Sequence, residues 1–262
     1  MMMSTLVFYG TSDAQGVPRM LCSCSVCAQT ESKNKRKRPS VYLQMQEQEI
    51  LIDISPDFQE QFITYNNKRI PPLVLITHAH HDHVDGLGDF ADLCFWNGQG
   101  TAQIVSPPDV MDALEQRFSY QFHRKGFSFI SADTWNAGNA NISFHRVNHG
   151  FNGYSYAILF KGENNKKWAY MPDSFQVSEE QWRPFYDLDL LILGTSYWEE
   201  KQDKARRSVY DVLEALELKE KLKAKQMILT HLSHQIDIPH YELLLPEGVS
   251  FAYDGLKIDL PV

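Results

Sequence analysis

The segment ITHAHHDHVDG (76–86) places His78, His80, Asp82 and His83 within six positions, directly after the apolar run LVLIT (73–77). Alternate side chains of an extended backbone point the same way, so His78 and His80 can share one cation. Asp82 and His83 come as the chain turns, within reach of a second cation beside the first. Imidazole and carboxylate together suit zinc, iron or manganese, and a site with room for water is a catalytic one. Two cations need more ligands than one loop supplies, and three further strand ends offer them. VNH ends on His149, AYMPDS carries Asp173, and MILTH ends on His231. A side chain just beyond a buried strand is firmly placed yet faces a cleft. A second cluster, CSCSVC (22–27), packs Cys22, Cys24 and Cys27 into six positions. That spacing suggests a metal clip, but a closed zinc site requires a fourth ligand.

These residues must be positioned by strands and helices. Short β-branched and aromatic runs fill the first quarter: LVFY (6–9), VYLQM (41–45) and ILIDI (50–54) read as strands. DFQEQFITY (57–65) reads as a helix with Phe58, Phe62 and Tyr65 on one face, and another helix is expected to begin near Asp89 after Gly86 and Gly88. The second half repeats this grammar with ISFHRV (142–147), YSYAILF (154–160), KWAYM (167–171), DLLILG (189–194) and QMILT (226–230). RRSVYDVLEALELKEKLK (206–223) reads as one amphipathic helix, and Cys94 as a core residue on the helix after the histidine motif. Many strands with fewer helices in each half suggest sheets packed face to face with helices outside, in one domain over residues 1–262.

Bulk properties bound the function. The 262 residues, 43% hydrophobic, suffice for a core, and the net charge of −8 argues against a long nucleic-acid groove. A small phosphorylated partner is still admissible, because metal can neutralise it locally. No run approaches the roughly 20 apolar residues of a membrane span. The start MMMSTLVFYG lacks a basic leader region, and four cysteines without an export signal point to a reducing, cytoplasmic setting. KNKRKRP (33–39) is expected to be a solvated loop. A homodimer is compatible with the sequence, which contains nothing that requires one.

The HxHxDH motif, followed downstream by His149, Asp173 and His231, resembles the signature of the metallo-β-lactamase superfamily. GTSDAQGVP (10–18), CSCSVC, SPPD (106–109), LTHLSHQ (229–235) and LPEGVSFAYDGLKI (245–258) further resemble the phosphoribosyl cyclic phosphate phosphodiesterases (PhnP-type), over nearly the whole chain. The resemblance implies an α+β fold, a four-layer αβ/βα sandwich of two mixed sheets with outer helices. It implies one cation held by His78, His80 and His149 and another by Asp82, His83 and His231, with Asp173 bridging. Asp82 and Asp173 would thus serve catalysis directly, and His81, His123, His145 and His240 would have no ligand role. His234 would complete a structural Cys₃His zinc site with Cys22, Cys24 and Cys27. The cofactors implied are two divalent cations, manganese or zinc, and one structural zinc. The implied reaction is attack of a bridging hydroxide on a small, possibly cyclic, phosphodiester.

One departure stands out. The family pattern carries a leaving-group histidine near residue 206, where this chain reads KARRSVYD. Arg206 and Arg207 can clamp phosphate but cannot donate a proton near neutral pH. Tyr197 and Trp198 are candidate pocket walls. Competing readings are a mononuclear iron oxygenase or redox enzyme on the same scaffold, and a protein resembling the pyrroloquinoline-quinone biosynthesis branch. Di-iron flavoprotein relatives carry Glu at the position of His80, and the quinone branch departs from the full ligand set, so hydrolysis is favoured.

Overall fold

A computed structural model describes residues 4–29, 33–45, 48–65, 69–97, 102–138, 140–162 and 165–260. Six strands build most of the first sheet: β1 (Ser4–Gly10), β2 (Ser40–Met45), β3 (Gln48–Ile52), β4 (Leu73–Leu75), β5 (Ala102–Ser106) and β6 (Phe127–Ser131). The second sheet comprises β7 (Thr134–Ala137), β8 (Ala140–Asn148), β9 (Tyr154–Gly162), β10 (Lys167–Met171), β11 (Leu190–Gly194), β12 (Gln226–Thr230) and β13 (Val249–Phe251). The last strand, β14 (Lys257–Leu260), returns to the first sheet beside β1. The sheet orders are β14-β1-β2-β3-β4-β5-β6 and β13-β12-β11-β10-β9-β8-β7. In each sheet three neighbouring pairs are antiparallel and three parallel.

Helices cover both outer faces, which is why the inner strands read as unbroken apolar runs rather than as alternation. Trp168 and Tyr170 of β10, and Leu190 and Ile192 of β11, face the first sheet. Their neighbours Ala169, Met171, Leu191 and Leu193 face the opposite way. On that side lie α5 (Glu179–Trp182), α6 (Val212–Leu222) and α7 (Ile238–Tyr241), with Trp182, Val212, Ala215, Leu218, Leu222 and Ile238 buried. The first sheet is covered by α1 (Phe58–Tyr65), α3 (Leu87–Asn97) and α4 (Pro108–Phe118), through Phe58, Phe90 and Leu114. Between them, the short α2 (His81–Val84) holds the end of the histidine motif. Each fully buried side chain of this size contributes roughly 1.5–3 kcal/mol. The α+β sandwich is the architecture expected, and Cys94 lies buried on α3.

Two expectations need correction. The helix read over 206–223 begins only at Val212, because Asp211 caps it. The Asp211 carboxylate accepts from the Glu214 amide at 2.8 Å while Glu214 accepts from the Asp211 amide at 3.2 Å, a reciprocal box that fixes the first turn. Residues 195–211 are thereby released to wrap the strand ends. KNKRKRP, read as a solvated loop, is instead threaded into the molecule. Arg36 is 2% exposed, Arg38 pairs with Asp57 at 2.5 Å, and the Lys37 amide donates to Asp254 at 2.7 Å.

Asp254 also accepts from the Thr11 hydroxyl at 2.8 Å, tying the closing segment to the first loop. Loss of solvent pushes its carboxyl up to about 7, against the pull of these donors and of Lys37 and Arg36. A carboxyl that holds its proton more tightly in the folded chain stabilises the fold fully below its ordinary value of about 4. That contribution is lost as pH rises through about 7. The residue keeps some contact with solvent, which tempers the effect. Asp254→Asn should therefore gain stability relative to the parent between pH 5 and pH 8, measured by urea unfolding. Parallel stability curves would contradict the assignment.

Candidate metal centre

The sequence brings seven ligand-type side chains to the same end of both sheets. His78 and His80 follow β4, Asp82 and His83 open α2, His149 follows β8, Asp173 follows β10 and His231 follows β12. Their atoms group as His78 with His80 and His149, as His78 with His83 and Asp173, and as Asp82 with His83 and His231. Within each group all ligand atoms lie within 4.8 Å of one another. Asp173 is central: its carboxylate lies 2.8 Å from His83 Nε2, 3.4 Å from His231 Nε2, 3.5 Å from His149 Nε2 and 3.9 Å from His78 Nε2. His81 points outward, its side chain 56% exposed.

Local backbone features produce this convergence. Gly194 lets the chain at Pro172 pass close to β11, since a Cβ there would lie 1.6 Å from the Pro172 carbonyl oxygen. His231 and Asp53 occupy the left-handed region, at φ of 59° and 61°. Non-glycine residues hold that conformation only where their surroundings insist on it. Asp53 is fully buried and organises the ligands from behind. It accepts from the Thr77 amide at 2.8 Å and the Thr77 hydroxyl at 2.9 Å, and lies 2.7 Å from His83 Nδ1. Thr77 Oγ1 in turn lies 3.0 Å from His78 Nδ1, and the Ser208 carbonyl accepts from His149 Nδ1 at 2.7 Å. Fixing Nδ1 in this way turns the Nε2 lone pair toward the centre.

The donor set fits divalent metal. Both ring nitrogens of His231 are buried without a hydrogen-bond partner, and His83 Nε2 and Asp173 Oδ2 meet at 2.8 Å without hydrogen-bond geometry, a costly arrangement unless another group satisfies them. Burial opposes charge on Asp173, yet His231, His149 and His83 hold its carboxyl well below the usual carboxylate range. Asp82 is likewise held down, by His83 and His231. Burial and the neighbouring His83 push His78 well below the ordinary imidazole value. His83 moves up despite its burial, because Asp82, Asp53 and Asp173 surround it. The carboxylates demand positive charge here, and a divalent cation supplies it without protonating a ligand.

The cysteines form a second cluster. Sγ of Cys22, Cys24 and Cys27 lie 3.2, 3.6 and 3.5 Å from Nδ1 of His234. A tetrahedral zinc with bonds of about 2.3 Å to sulfur and 2.0 Å to nitrogen has S···N edges of about 3.5 Å, so these four residues fit one ion. A link across 212 positions would remove on the order of 5 kcal/mol of chain entropy from the unfolded state. Arg36 braces the same turn: its Nη2 donates to the Ser233 and Ile236 carbonyls at 2.8 and 3.1 Å. Its burial lowers the guanidinium to about 10.

A cleft of about 220 Å³ opens over His80, Asp82, His149, Asp173 and His231. Its outer wall carries Gln15, Arg19, Tyr197, Gln202 and Arg206. Arg206 is exposed. Arg207 also borders the cleft, but its guanidinium is committed to ion pairs with Glu214 and Asp211 and lies 4.6 Å over the Phe175 ring. Trp198, expected as a second aromatic wall, does not reach the cleft. It stacks on Tyr241, 4.7 Å between centroids at 19°, against the outer core of the second sheet. Sequence reasoning missed Asp53, whose acid in the apolar run ILIDI was a usable signal. It also missed Arg19, paired with Asp13, which only the fold carries to the cleft.

Fold and site together define a metallo-β-lactamase-type scaffold built to bind divalent metal at the strand ends. Residues 48–232 match the family described as Beta-lactamase superfamily domain, and the chain belongs to that superfamily. The structure is similar to that of a diphosphatase from the PhnP family, with 27% identity over 99% of this chain and 98% of that one and a TM-score of 0.87. Among curated relatives, an octanoyltransferase of Porphyromonas gingivalis is 25% identical over 96% of this chain and 50% of its own length. The probable metallo-hydrolase YhfI of Bacillus subtilis is 27% identical over 62% of this chain and 66% of its own. The chain thus spans between half and two thirds of these two relatives.

Asp53→Asn should weaken metal retention at the histidine cluster about 10–100-fold, read by chelator competition, because His83 loses its orienting carboxylate. Unchanged retention would show that Asp53 does not orient His83. Cys22→Ser should cost one metal per chain by elemental analysis and lower the melting temperature. A full metal complement in that variant would refute the clip.

Proposed function

We propose that the protein is a metal-dependent hydrolase of small phosphodiesters or closely related phosphoryl compounds. The observation that carries this reading is Asp173, whose carboxylate lies 2.8–3.9 Å from histidines of both ligand groups. In the proposed scheme His78, His80 and His149 would hold one cation and Asp82, His83 and His231 a second, with Asp173 available to both. Bound there, the ions would lower the pKa of a water and neutralise a phosphoryl oxygen. The protein's own residues supply the rest. Asp53, Thr77 and the Ser208 carbonyl fix the ligand rings. Arg206 places a cationic group on the cleft wall, beside the Arg19–Asp13 ion pair, where an anionic substrate would enter an otherwise acidic protein.

The absence of histidine at 206–208 bears on the leaving group. No imidazole is available there to protonate a departing alkoxide, so the wall suits leaving groups that depart as anions, such as an aryl oxide or a phosphate. A phosphoanhydride is therefore the second reading, and the PhnP-family relative described as a diphosphatase supports it.

The test is hydrolysis by manganese- or zinc-loaded protein of bis(p-nitrophenyl) phosphate, a cyclic nucleotide phosphate and a nucleoside diphosphate. Activity on at least one is expected, and Asp173→Ala should lower its kcat/KM by about 1000-fold or more. Inactivity toward all three with full metal content would defeat the reading.

A further inference from the structure

A second cleft borders the metal centre. It measures about 190 Å³ and is lined by His78, Ala79, His80, Val110, Ala113, Asn152, Gly153 and Tyr154. His80 and Asn152 border both clefts, so the two meet at the ligand cluster. Their chemistry differs sharply. The first presents Asp13, Gln15, Arg19, Gln202 and Arg206. Beyond its two histidines, Asn152 and the phenol of Tyr154, the second presents only alanine, valine and glycine.

Packing and side-chain pairs shape one wall of the second cleft. Val110 is 1% exposed on α4. The Arg146 guanidinium lies 3.9 Å from the centroid of the Tyr154 ring, and the neighbouring Tyr156 hydroxyl donates to Asp109 at 2.9 Å. An apolar cavity of about 150 Å³ is enough to take a benzene ring. The second cleft therefore has room for one planar six-membered ring, with His80 at one end.

We propose that this cleft is a subsite for an aryl-sized apolar arm of the phosphoryl substrate, while the arginine-bearing cleft takes the polar arm. The inference rests on the proposed phosphoryl chemistry for its placement of the substrate's phosphorus between the clefts. It narrows the substrate class to asymmetric molecules: one side anionic or hydroxylated, the other a flat ring such as a phenyl group or a nucleobase. A small sugar cyclic phosphate would leave the second cleft unfilled.

The test is calorimetric binding of phenylphosphonate and methylphosphonate to the manganese-loaded protein, alongside the hydrolysis panel. Phenylphosphonate should bind about tenfold more tightly or better, the order expected for removing a ring's apolar surface from water. Ala113→Trp, which fills the cleft from α4, should bring the two affinities together. Tyr154→Ala provides an independent variant and should also shrink the preference. Equal affinities in the parent, a preference unchanged in a folded, metal-loaded variant, or no binding of either phosphonate overturns the subsite. A phenyl preference without hydrolysis of any panel member would uphold the subsite and fail the proposed activity. Hydrolysis without a phenyl preference would do the reverse.

Discussion

Buried carboxylates must be neutralised, and this requirement organises the protein. Asp53, Asp82 and Asp173 are all less than 5% exposed, at one end of the two sheets. An unpaired carboxylate in such surroundings would be strongly destabilising. Imidazoles crowd around the three acids, yet several of those rings are pushed toward neutrality by burial and by one another. His83 and His231 are pushed the other way by the acids, and a divalent cation would supply the balancing charge without protonating a ligand. Left-handed Asp53 and His231, the close pass of Pro172 by Gly194, and the loop from 195 to 211 all place these groups where that balance can be struck.

The sandwich suits this demand because each half contributes strand ends of its own. The ligands from 78 to 83 follow the first sheet, and those at 149, 173 and 231 follow the second. Neither sheet alone assembles the cluster. Packing between the sheets, to which the second sheet turns its cross-strand Phe160–Trp168 stack, therefore supports the chemistry as well as the fold. The cysteine clip and Arg36 reinforce the joint from the back, since both grip the turn that carries His231 and His234.

Much of this was legible in the sequence because ligand chemistry is local. HxHxDH follows its strand directly, and His149, Asp173 and His231 each stand one or two places beyond an apolar run. The strands KWAYM and QMILT coincide with β10 and β12. What escaped the sequence depended on tertiary placement. A basic run reads as solvated until the fold supplies carbonyls for Arg36 and a carboxylate for Lys37. Trp198 cannot be told from a pocket wall until Tyr241 is seen beside it. The apolar spacing from Val209 onward hides the capping signal at Asp211 and Glu214, which starts the helix at Val212 rather than at 206.

The position of His231 and His234 late in the chain has a consequence for biogenesis. Translation delivers the N-terminal residues first, so a ribosome must have released residue 234 before either ligand set is whole. Until then the nascent protein carries exposed thiolates and imidazoles with incomplete coordination spheres. Any metal held by these groups would meet a full ligand set only once residue 234 has been made. A chain cut before residue 234 would leave the cysteine cluster one ligand short, and a cut before residue 231 would do the same to the histidine cluster.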